Sequence, residues 1–398
     1  MKKPILLMFF FLSVCVLFAA NTNDKLINIL SSEIERQMSE LKNEEIPPYY
    51  LSYRVNEVTS IRIDATFGNL TESRESTKRT LYVEVRVGTN EQDNTHELRD
   101  DYSSWMDYFQ FGVKLPLTND PDAIRQTLWN ETNKKYLKAK DKLAKVKANV
   151  AVKVEEEDKS SDFSIEEAYT YFEPLIELEQ FNIDQQEWEE KVKRYSRPFL
   201  DDESIFRGYS SFSFSIERKY FVSSEGGKIT QNMTNAFIST GGSIKSEDGM
   251  VLPLYKSYFS YNPEDLPADD VIMKDVEKMV KTLTALKNAP IVESFSGPAL
   301  LSGEAAGVFF HEIFGHRVEG QRLKSETDSQ TFKKKIGEKV LPDHMSVIFE
   351  PLTDNYLGQD LIGYYKYDDQ GIKAREVTIV ENGILKGFLM SRCPIEGF

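Results

Sequence analysis

Apolar residues recur at helical spacing soon after the N-terminal segment. Between residues 23 and 43 they form one stripe, with Ile29 at its edge: Leu26, Ile27, Leu30, Ile34, Met38 and Leu41. Positions three and four apart lie on the same face of a helix. The pattern therefore predicts an amphipathic helix that opens the folded protein and packs its stripe into a core.

The pattern then changes to alternation. Residues 50–55 and 80–87 alternate apolar and polar positions and are rich in β-branched and aromatic side chains, so residues 49–87 are predicted to form an antiparallel sheet. Asp120 and Pro121 predict the start of a long helix to about residue 150, as N-cap and first helical residue. Its lysine-rich end, residues 134–153, is interpreted as a solvated face, with peptide docking as the alternative.

An acidic, serine-containing run at residues 154–162 is interpreted as an exposed linker and internal boundary. A helix is predicted from Asp184 to Tyr195, with a start resembling a capping box. Residues 204–261 favour a β-meander, whose turns we expect at glycine-containing sites: residues 225–227, 241–242 and 248–249. Another amphipathic helix is predicted over residues 267–287, and a short strand over residues 290–293.

This order of elements is typical of an α+β protein rather than of a regular βαβ repeat. We expect an N-terminal domain over residues 21–200, built from a helix and an antiparallel sheet. A second, β-rich domain over residues 201–398 would carry the functional helix described below.

The first 20 residues have the layout of a secretory signal peptide. Lys2 and Lys3 precede an apolar run, and small residues stand before Asn21. We therefore expect an exported protein, secreted or periplasmic, with no stable membrane span after cleavage. A single membrane anchor is the alternative, although the run is short for a span of about 20 residues. A lipoprotein anchored at Cys15 is disfavoured because Val14 precedes it.

The net charge limits the classes of partner, and the cysteine content limits how the fold can be stabilised. The net charge is −15, which argues against nucleic acid or an anionic membrane surface as a partner. Cys15 would leave with the signal peptide, so Cys393 remains alone and an intrachain disulfide is excluded in the mature protein. Stability must then come from packing.

The residues with the clearest chemistry are the sequence FHEIFGH at positions 310–316. His311 and His316 offer imidazole ligands to a zinc ion, and Glu312 offers a general base for water. The chain has four histidines, so a pair of core or surface histidines is the alternative. Small and then bulky apolar residues lead into the motif, which predicts a buried helix that carries the site, with Ser302 as the expected N-cap and Gly320 as the expected end.

The histidine spacing has a structural consequence. Histidines four residues apart share one face of a helix, whereas His311 and His316 are five apart. Five steps of a regular helix rotate by roughly 140° and rise by about 7.5 Å, which separates the rings. We therefore predict a distortion at residues 314–316, either a break near the permissive Gly315 or a π-bulge.

The sequence resembles the TldD/PmbA family of zinc metalloproteases, whose active members carry H-E-x-x-x-H. The similarity lies in residues 303–320 and continues through residues 368–371 and 374–387, which resemble the family's strand-turn-strand. The resemblance implies that His311 and His316 bind Zn²⁺ and that Glu312 is the catalytic base. It also implies extended or unfolded peptides as substrates, leader segments among them, and a homodimer or a heterodimer with a related subunit.

The resemblance also implies a third zinc ligand, a cysteine well downstream of the helix. The sequence stops at Phe398, directly after a strand, so we expect the C-terminal part of the metalloprotease domain to be incomplete and this ligand to be absent. Cys393 is one stand-in, with a structural or free thiol as its alternative. Glu319, three residues after His316, is the other, with a solvated charge as its alternative.

Together these features predict an exported zinc metallopeptidase that cleaves extended peptides by attack of metal-activated water. The alternative is a catalytically silent partner subunit or an exported peptide-binding module of the same fold. A purely structural surface protein would require both histidines to be core residues. Residues 297–301, before the motif, suggest peptide binding by strand addition, with ordinary sheet packing as the alternative.

Overall fold

The computed structural model describes residues 24–98, 111–152, 159–324 and 331–397. The helices in these ranges are α1 (Lys25–Leu41), α2 (Pro121–Val152), α3 (Gln185–Ser196), α4 (Asp269–Lys287) and α5 (Gly303–Ile313). The strands are β1 (Pro48–Thr66), β2 (Asn69–Val87), β3 (Val113–Lys114), β4 (Thr170–Phe172), β5 (Ile205–Ser223), β6 (Lys228–Lys245), β7 (Val251–Ser260), β8 (Val347–Phe349), β9 (Asn355–Tyr356), β10 (Gln359–Asp360), β11 (Val377–Glu381) and β12 (Ile384–Leu385). The predicted α+β class is confirmed.

The expected signal peptide, residues 1–20, lies outside the described residues. Within the described ranges, every helix is too short or too polar to cross a membrane.

A seven-stranded sheet organises most of the chain. Its strand order is β3-β2-β1-β5-β6-β4, and β7 also pairs with β6. All of these pairings are antiparallel except β4 with β6. The central pair, β1 with β5, runs in register from Ser52 opposite Ser223 to Thr66 opposite Tyr209. The antiparallel sheet predicted for residues 49–87 is thus one part of a larger sheet.

This sheet crosses the expected domain boundary at residue 200. β1 and β2 come from the predicted N-terminal domain, and β5, β6 and β7 come from the predicted second domain. The two predicted domains therefore share one hydrogen-bonded sheet. Local sequence patterns could not reveal this, because the pairing partners are more than 140 residues apart along the chain.

Two helical layers bury the sheet and confirm the predicted helices. Asp24 caps α1, because its carboxylate accepts hydrogen bonds from the amides of Leu26 and Ile27. α1 and α2 pack on β1 and β2 in one apolar cluster. α3 and α4 pack on β1, β5 and β6 in a second cluster.

The meander β5-β6-β7 has turns at two of the three glycine-containing sites where turns were predicted. The turns at residues 225–227 and 248–249 are present, but the predicted turn at residues 241–242 is wrong, because β6 continues through it. A Cβ on Gly241 would lie 2.8 Å from the Tyr209 hydroxyl, and one on Gly242 would lie 2.8 Å from the Phe199 ring. These glycines serve close packing rather than chain reversal.

The expected linker is partly buried. Residues 153–158 lie outside the described part, but Asp162 is 3% exposed and Phe163 is 1% exposed. The exposed loop predicted for this run is therefore wrong at its C-terminal end. The backbone of Ser164 donates a hydrogen bond to the carbonyl of Arg392, so this segment joins the sheet to the C-terminal part of the chain.

A smaller unit over residues 303–397 contains α5 and the short sheet β12-β11-β8. Its own apolar cluster includes Phe314, Val318 and Ile379. Side chains tie this unit to the large sheet: Lys219 donates to Asp369 at 2.6 Å, and Gln231 donates to the carbonyl of Tyr367 at 2.7 Å. These contacts position α5 relative to the sheet.

Candidate metal centre

The helix that carries the motif breaks where the histidine spacing predicts. α5 ends at Ile313, and Phe314 leaves the helical region with φ −123° and ψ −51°. One 3-10 turn, Gly315–Arg317, follows. Of the two predicted distortions, the break is therefore the one that forms. Because Phe314 is 3% exposed and packs in the apolar cluster of residues 303–397, the break is fixed by burial.

The predicted helix ends are only partly correct. Ser302 occupies the N-cap position, but its side chain makes no capping hydrogen bond. The prediction that Gly320 ends the helix is wrong, because Gly320 begins a separate 3-10 turn, Gly320–Leu323.

The break brings the two imidazoles together despite their five-residue spacing. The ring centroids of His311 and His316 lie 4.5 Å apart, with the ring planes at 67°. The Glu312 carboxylate lies near both rings, with Oε1 4.0 Å from His311 Nε2 and Oε2 3.8 Å from His316 Nε2. One ligand atom from each of the three residues lies within 4.8 Å of the other two.

The three side chains are open to solvent. His311 is 61% exposed, Glu312 is 62% exposed and His316 is 37% exposed. The buried helix predicted for this motif is wrong, because no residue of α5 is buried and Val308 and Phe309 are more than half exposed. Phe310, stacked on Phe314 at 5.0 Å, is partly buried in the apolar cluster beneath. A polypeptide in solution could therefore approach the cluster directly.

Glu319 lies beside the cluster and contacts one of its rings. Its Oε1 is 2.6 Å from His316 Nδ1, and Arg322 Nε donates to its Oε2 at 2.6 Å. Partial burial raises the pKa of the Glu319 carboxyl, but the hydrogen bonds from Arg322 and His316 outweigh it and hold the pKa below its usual value. The Glu319 carboxylate is thus hydrogen-bonded to Nδ1 of His316.

Cys393 lies elsewhere. It is a free thiol of intermediate exposure, and its electrostatic neighbours are Lys324, Arg86, Asp162 and Asp93. Burial raises the pKa of this thiol, which disfavours the thiolate that binds metals. Within the described ranges, the group of side chains that could share an ion contains neither Cys393 nor Glu319.

The donor set fits a zinc ion in part. Imidazole nitrogens and a carboxylate are the ligand types of catalytic zinc, and the nearby Glu319 supplies a carboxylate partner to one imidazole, as ligating histidines commonly have. Catalytic sites also keep an open position, which agrees with the exposure of His311 and Glu312. His311 and His316 provide two of the three protein ligands that such a site uses.

The segment before α5 does not form the predicted strand. Residues 289–302 have no regular secondary structure except a bend at Gly297, and several apolar side chains in them are exposed. Ile291 is 78% exposed, Val292 is 85% exposed and Leu300 is 99% exposed. Strand addition at residues 297–301 stays a prediction.

Arg322, which contacts Glu319 beside the two histidines, was not predicted from the sequence. His316, Glu319 and Arg322 are spaced three residues apart, and the two 3-10 turns bring them side by side. The three-residue spacing of a histidine, a glutamate and an arginine could have predicted this contact.

Comparisons with known proteins relate this part of the chain to metallopeptidases. Residues 295–394 match the family model described as the PmbA/TldA metallopeptidase C-terminal domain. A metalloprotease of Methanocaldococcus jannaschii is 31% identical over 193 residues, which are 48% of this chain and 41% of that protein. A zinc metalloprotease TldD homolog of Saccharolobus solfataricus is 36% identical over 95 residues, which are 24% of this chain and 20% of that protein.

The fold is also similar to a solved structure. TldE from Thermococcus kodakarensis superposes with a TM-score of 0.55 at 14% identity, covering 92% of this chain and 70% of that one. This likeness concerns the fold alone. The aligned region spans less than half of the length of the M. jannaschii relative. With the family model and the metalloprotease relatives, these similarities show that residues 295–394 form a region similar to the C-terminal domain of PmbA/TldD metallopeptidases.

Proposed function

We propose that this protein is an exported zinc-dependent metallopeptidase that cleaves extended or unfolded peptides. The observation that carries the proposal is the convergence of His311, Glu312 and His316 on an exposed helix end, achieved by a break in the helix. Relatives named metalloproteases support the reaction class, and the relative named a zinc metalloprotease supports the metal.

His311 and His316 would hold the ion, which supplies electrophilic polarisation and a water of lowered pKa. Glu312 takes a proton from the attacking water on a carboxylate oxygen while the water oxygen bonds to the peptide carbonyl carbon. Glu312 then delivers that proton to the amine nitrogen as the carbon–nitrogen bond breaks. Glu312 lies 4.0 Å from the His311 imidazole and 3.8 Å from the His316 imidazole without a direct hydrogen bond to either, which supports a role as base rather than as a partner of the rings.

The exposure of the cluster supports the proposed substrate class. The cluster is exposed, and residues 289–302, which precede its helix, are largely exposed and lack regular secondary structure, so an extended chain could reach this surface without unfolding the protein. Export rests on the N-terminal sequence, with a secreted or periplasmic location. Assembly as a homodimer, or as a heterodimer with a related subunit, is supported by the fold shared with TldE and by the exposed apolar side chains of α5.

A second candidate is a catalytically silent partner subunit or peptide-binding module of the same fold. It is favoured by the donor count, because within the described ranges Cys393 stands apart from the two imidazoles and a third histidine or cysteine ligand is not in the cluster.

Elemental analysis of the purified mature protein distinguishes the two candidates. Near-stoichiometric zinc in the wild type, lost in His311→Ala and retained in His344→Ala, together with hydrolysis of an unfolded peptide, would support the enzyme. His344 is exposed and is not a member of the cluster, so its variant is the matched control. Folded protein without zinc or turnover, alone and with added zinc, would contradict the peptidase and leave the partner subunit.

A further inference from the structure

We propose that Glu319 is a positioning residue that fixes the tautomer of the His316 ring and thereby sets the metal affinity of the site. The inference rests on the proposed function for the identity of the site. It assigns Glu319 a role through His316 rather than a place among the ligands.

The side chains of Glu319 and His316 are in short contact. Glu319 Oε1 lies 2.6 Å from His316 Nδ1, and a carboxylate oxygen can only accept there. Nδ1 must therefore carry a hydrogen. In the neutral ring, that leaves the lone pair on Nε2, the nitrogen that lies 3.8 Å from the Glu312 carboxylate within the proposed metal cluster.

Glu319 itself is held in place by its neighbours. Arg322 Nε donates to Glu319 Oε2 at 2.6 Å. The backbone on both sides is fixed, because Gly320 donates to the carbonyl of Leu389 at 2.8 Å and Leu389 donates to the carbonyl of Val318 at 2.8 Å. Val318 is fully buried. The carboxylate is therefore presented to His316 by a rigid turn.

Arg322 does not compete for the same nitrogen. Its Nη2 lies 3.5 Å from His316 Nδ1, but guanidinium is a donor only and Nδ1 is already a donor to Glu319. The shorter, charge-assisted contact decides the tautomer. Arg322 acts one step further out, by orienting Glu319.

The consequence is an asymmetric pair of ligands. His316 has a fixed carboxylate partner at Nδ1. In the described part of the chain, neither ring nitrogen of His311 makes a hydrogen bond. Without Glu319, the His316 proton could reside on either nitrogen, and only one of the two forms would leave Nε2 free. Loss of such an outer partner typically weakens metal binding by about 10- to 100-fold.

The test combines zinc affinity with the tautomer of the zinc-free ring. Competition with a chromogenic chelator should give about 10- to 100-fold weaker zinc binding for Glu319→Ala and a smaller loss for Glu319→Gln, which retains an acceptor oxygen. Glu304→Ala is the matched control, since it removes an exposed acid from α5 and should leave affinity unchanged. ¹⁵N-histidine NMR of the neutral ring should show His316 protonated on Nδ1 in the wild type and a mixture in Glu319→Ala.

Unchanged zinc affinity or unchanged tautomer populations in folded Glu319→Ala would overturn the proposal. A loss of zinc as complete as in His316→Ala would also overturn it, because Glu319 would then be a ligand itself. The tautomer measurement needs no metal. If the wild type bound no zinc, the proposed function would fail while the NMR result still decided the role of Glu319.

Discussion

The guanidinium of Arg392 lies over the ring of Phe163, with its central carbon 3.8 Å from the ring centroid. Arg86 lies over the same ring at the same distance. Two cations that close cannot share one face, so the phenyl ring is held between them. Each guanidinium also has carboxylate partners: Arg392 pairs with Glu225, and Arg86 pairs with Glu84 and Asp93. This stack joins the large sheet to the segment that follows β12.

Phe163→Leu should therefore destabilise the protein by about 1–3 kcal/mol, since it removes two cation–π contacts and part of a buried ring. Chemical denaturation followed by circular dichroism would measure the change. Phe111→Leu is the control, because Phe111 is 75% exposed and should tolerate the change. Equal stabilities of the two variants would contradict a structural role for the stack.

Gly320 allows the turn that presents Glu319 to pack against the segment after β12. A Cβ at this position would lie 2.4 Å from Met390 Sδ and 3.0 Å from the carbonyl oxygen of Leu389. Gly320→Ala should therefore lower the free energy of unfolding by about 1–3 kcal/mol through overpacking. Thermal denaturation would measure the change.

Gly307 provides the opposite case within the same motif. It lies inside α5, and a Cβ there would meet nothing within 4 Å. Gly307→Ala should leave stability unchanged or raise it by about 0.5–1 kcal/mol, because alanine favours the helix. If Gly320→Ala behaved like Gly307→Ala, the close approach at Gly320 would have no energetic weight.

Glu312→Gln should separate metal binding from chemistry. Glutamine keeps the size of the side chain but cannot take a proton from water, so turnover of an unfolded peptide should fall by about 10²- to 10⁴-fold. Zinc content should remain, because His311 and His316 are unchanged. Glu304→Gln on the same helix is the control for turnover. Full activity of Glu312→Gln would exclude Glu312 as the base.

Tyr261 makes a pH-dependent contribution to stability at the junction between the large sheet and the unit of residues 303–397. Its hydroxyl donates to the carbonyl of Leu361, and its amide donates to Asp360 at 3.0 Å. Burial, with added repulsion from Asp360 and Asp354, raises the pKa of Tyr261 to about 12. The folded state therefore resists deprotonation more than the unfolded state, whose tyrosines titrate near pH 10.

This contribution is fully present below about pH 10 and is lost as the pH rises towards 12. Tyr261→Phe should be less stable than wild type at pH 8, because it loses a hydrogen bond, but its stability should fall less steeply between pH 10 and 12. Tyr255→Phe is the control, since Tyr255 is 71% exposed. Urea denaturation at each pH would measure both slopes, and parallel slopes for Tyr261→Phe and wild type would contradict the assignment.

Local features were predictable from the sequence. The Asp24 cap and apolar stripe of α1, the alternation of β1 and β2, and the helix break at Phe314 each depend on residues within a few positions of one another. The five-residue spacing of His311 and His316 allowed the break to be predicted, because a regular helix would have separated the rings.

Features that depend on distant residues were not predictable. Gly242 resembled a turn residue, and only its proximity to Phe199 shows why glycine is needed within β6. The polar run ending at Asp162 resembled an exposed loop, yet Asp162 is buried against His96, whose Nδ1 lies 2.8 Å from its Oδ1. The exposure of α5 likewise could not be read from an apolar sequence that is also typical of a buried helix.

The central position of β1 has a consequence for folding and for dissection of the chain. β1 and β2 can form early as a hairpin, but the other edge of β1 must wait for β5, whose first residue follows the end of β1 by more than 130 residues. Such distant pairing is slow, because a long loop must close before the contacts form. A polypeptide ending near residue 200 would keep most of the 19-residue edge of β1 unpaired and open to other strands. Release from the ribosome before β5 is made should therefore lead to aggregation rather than to a folded half.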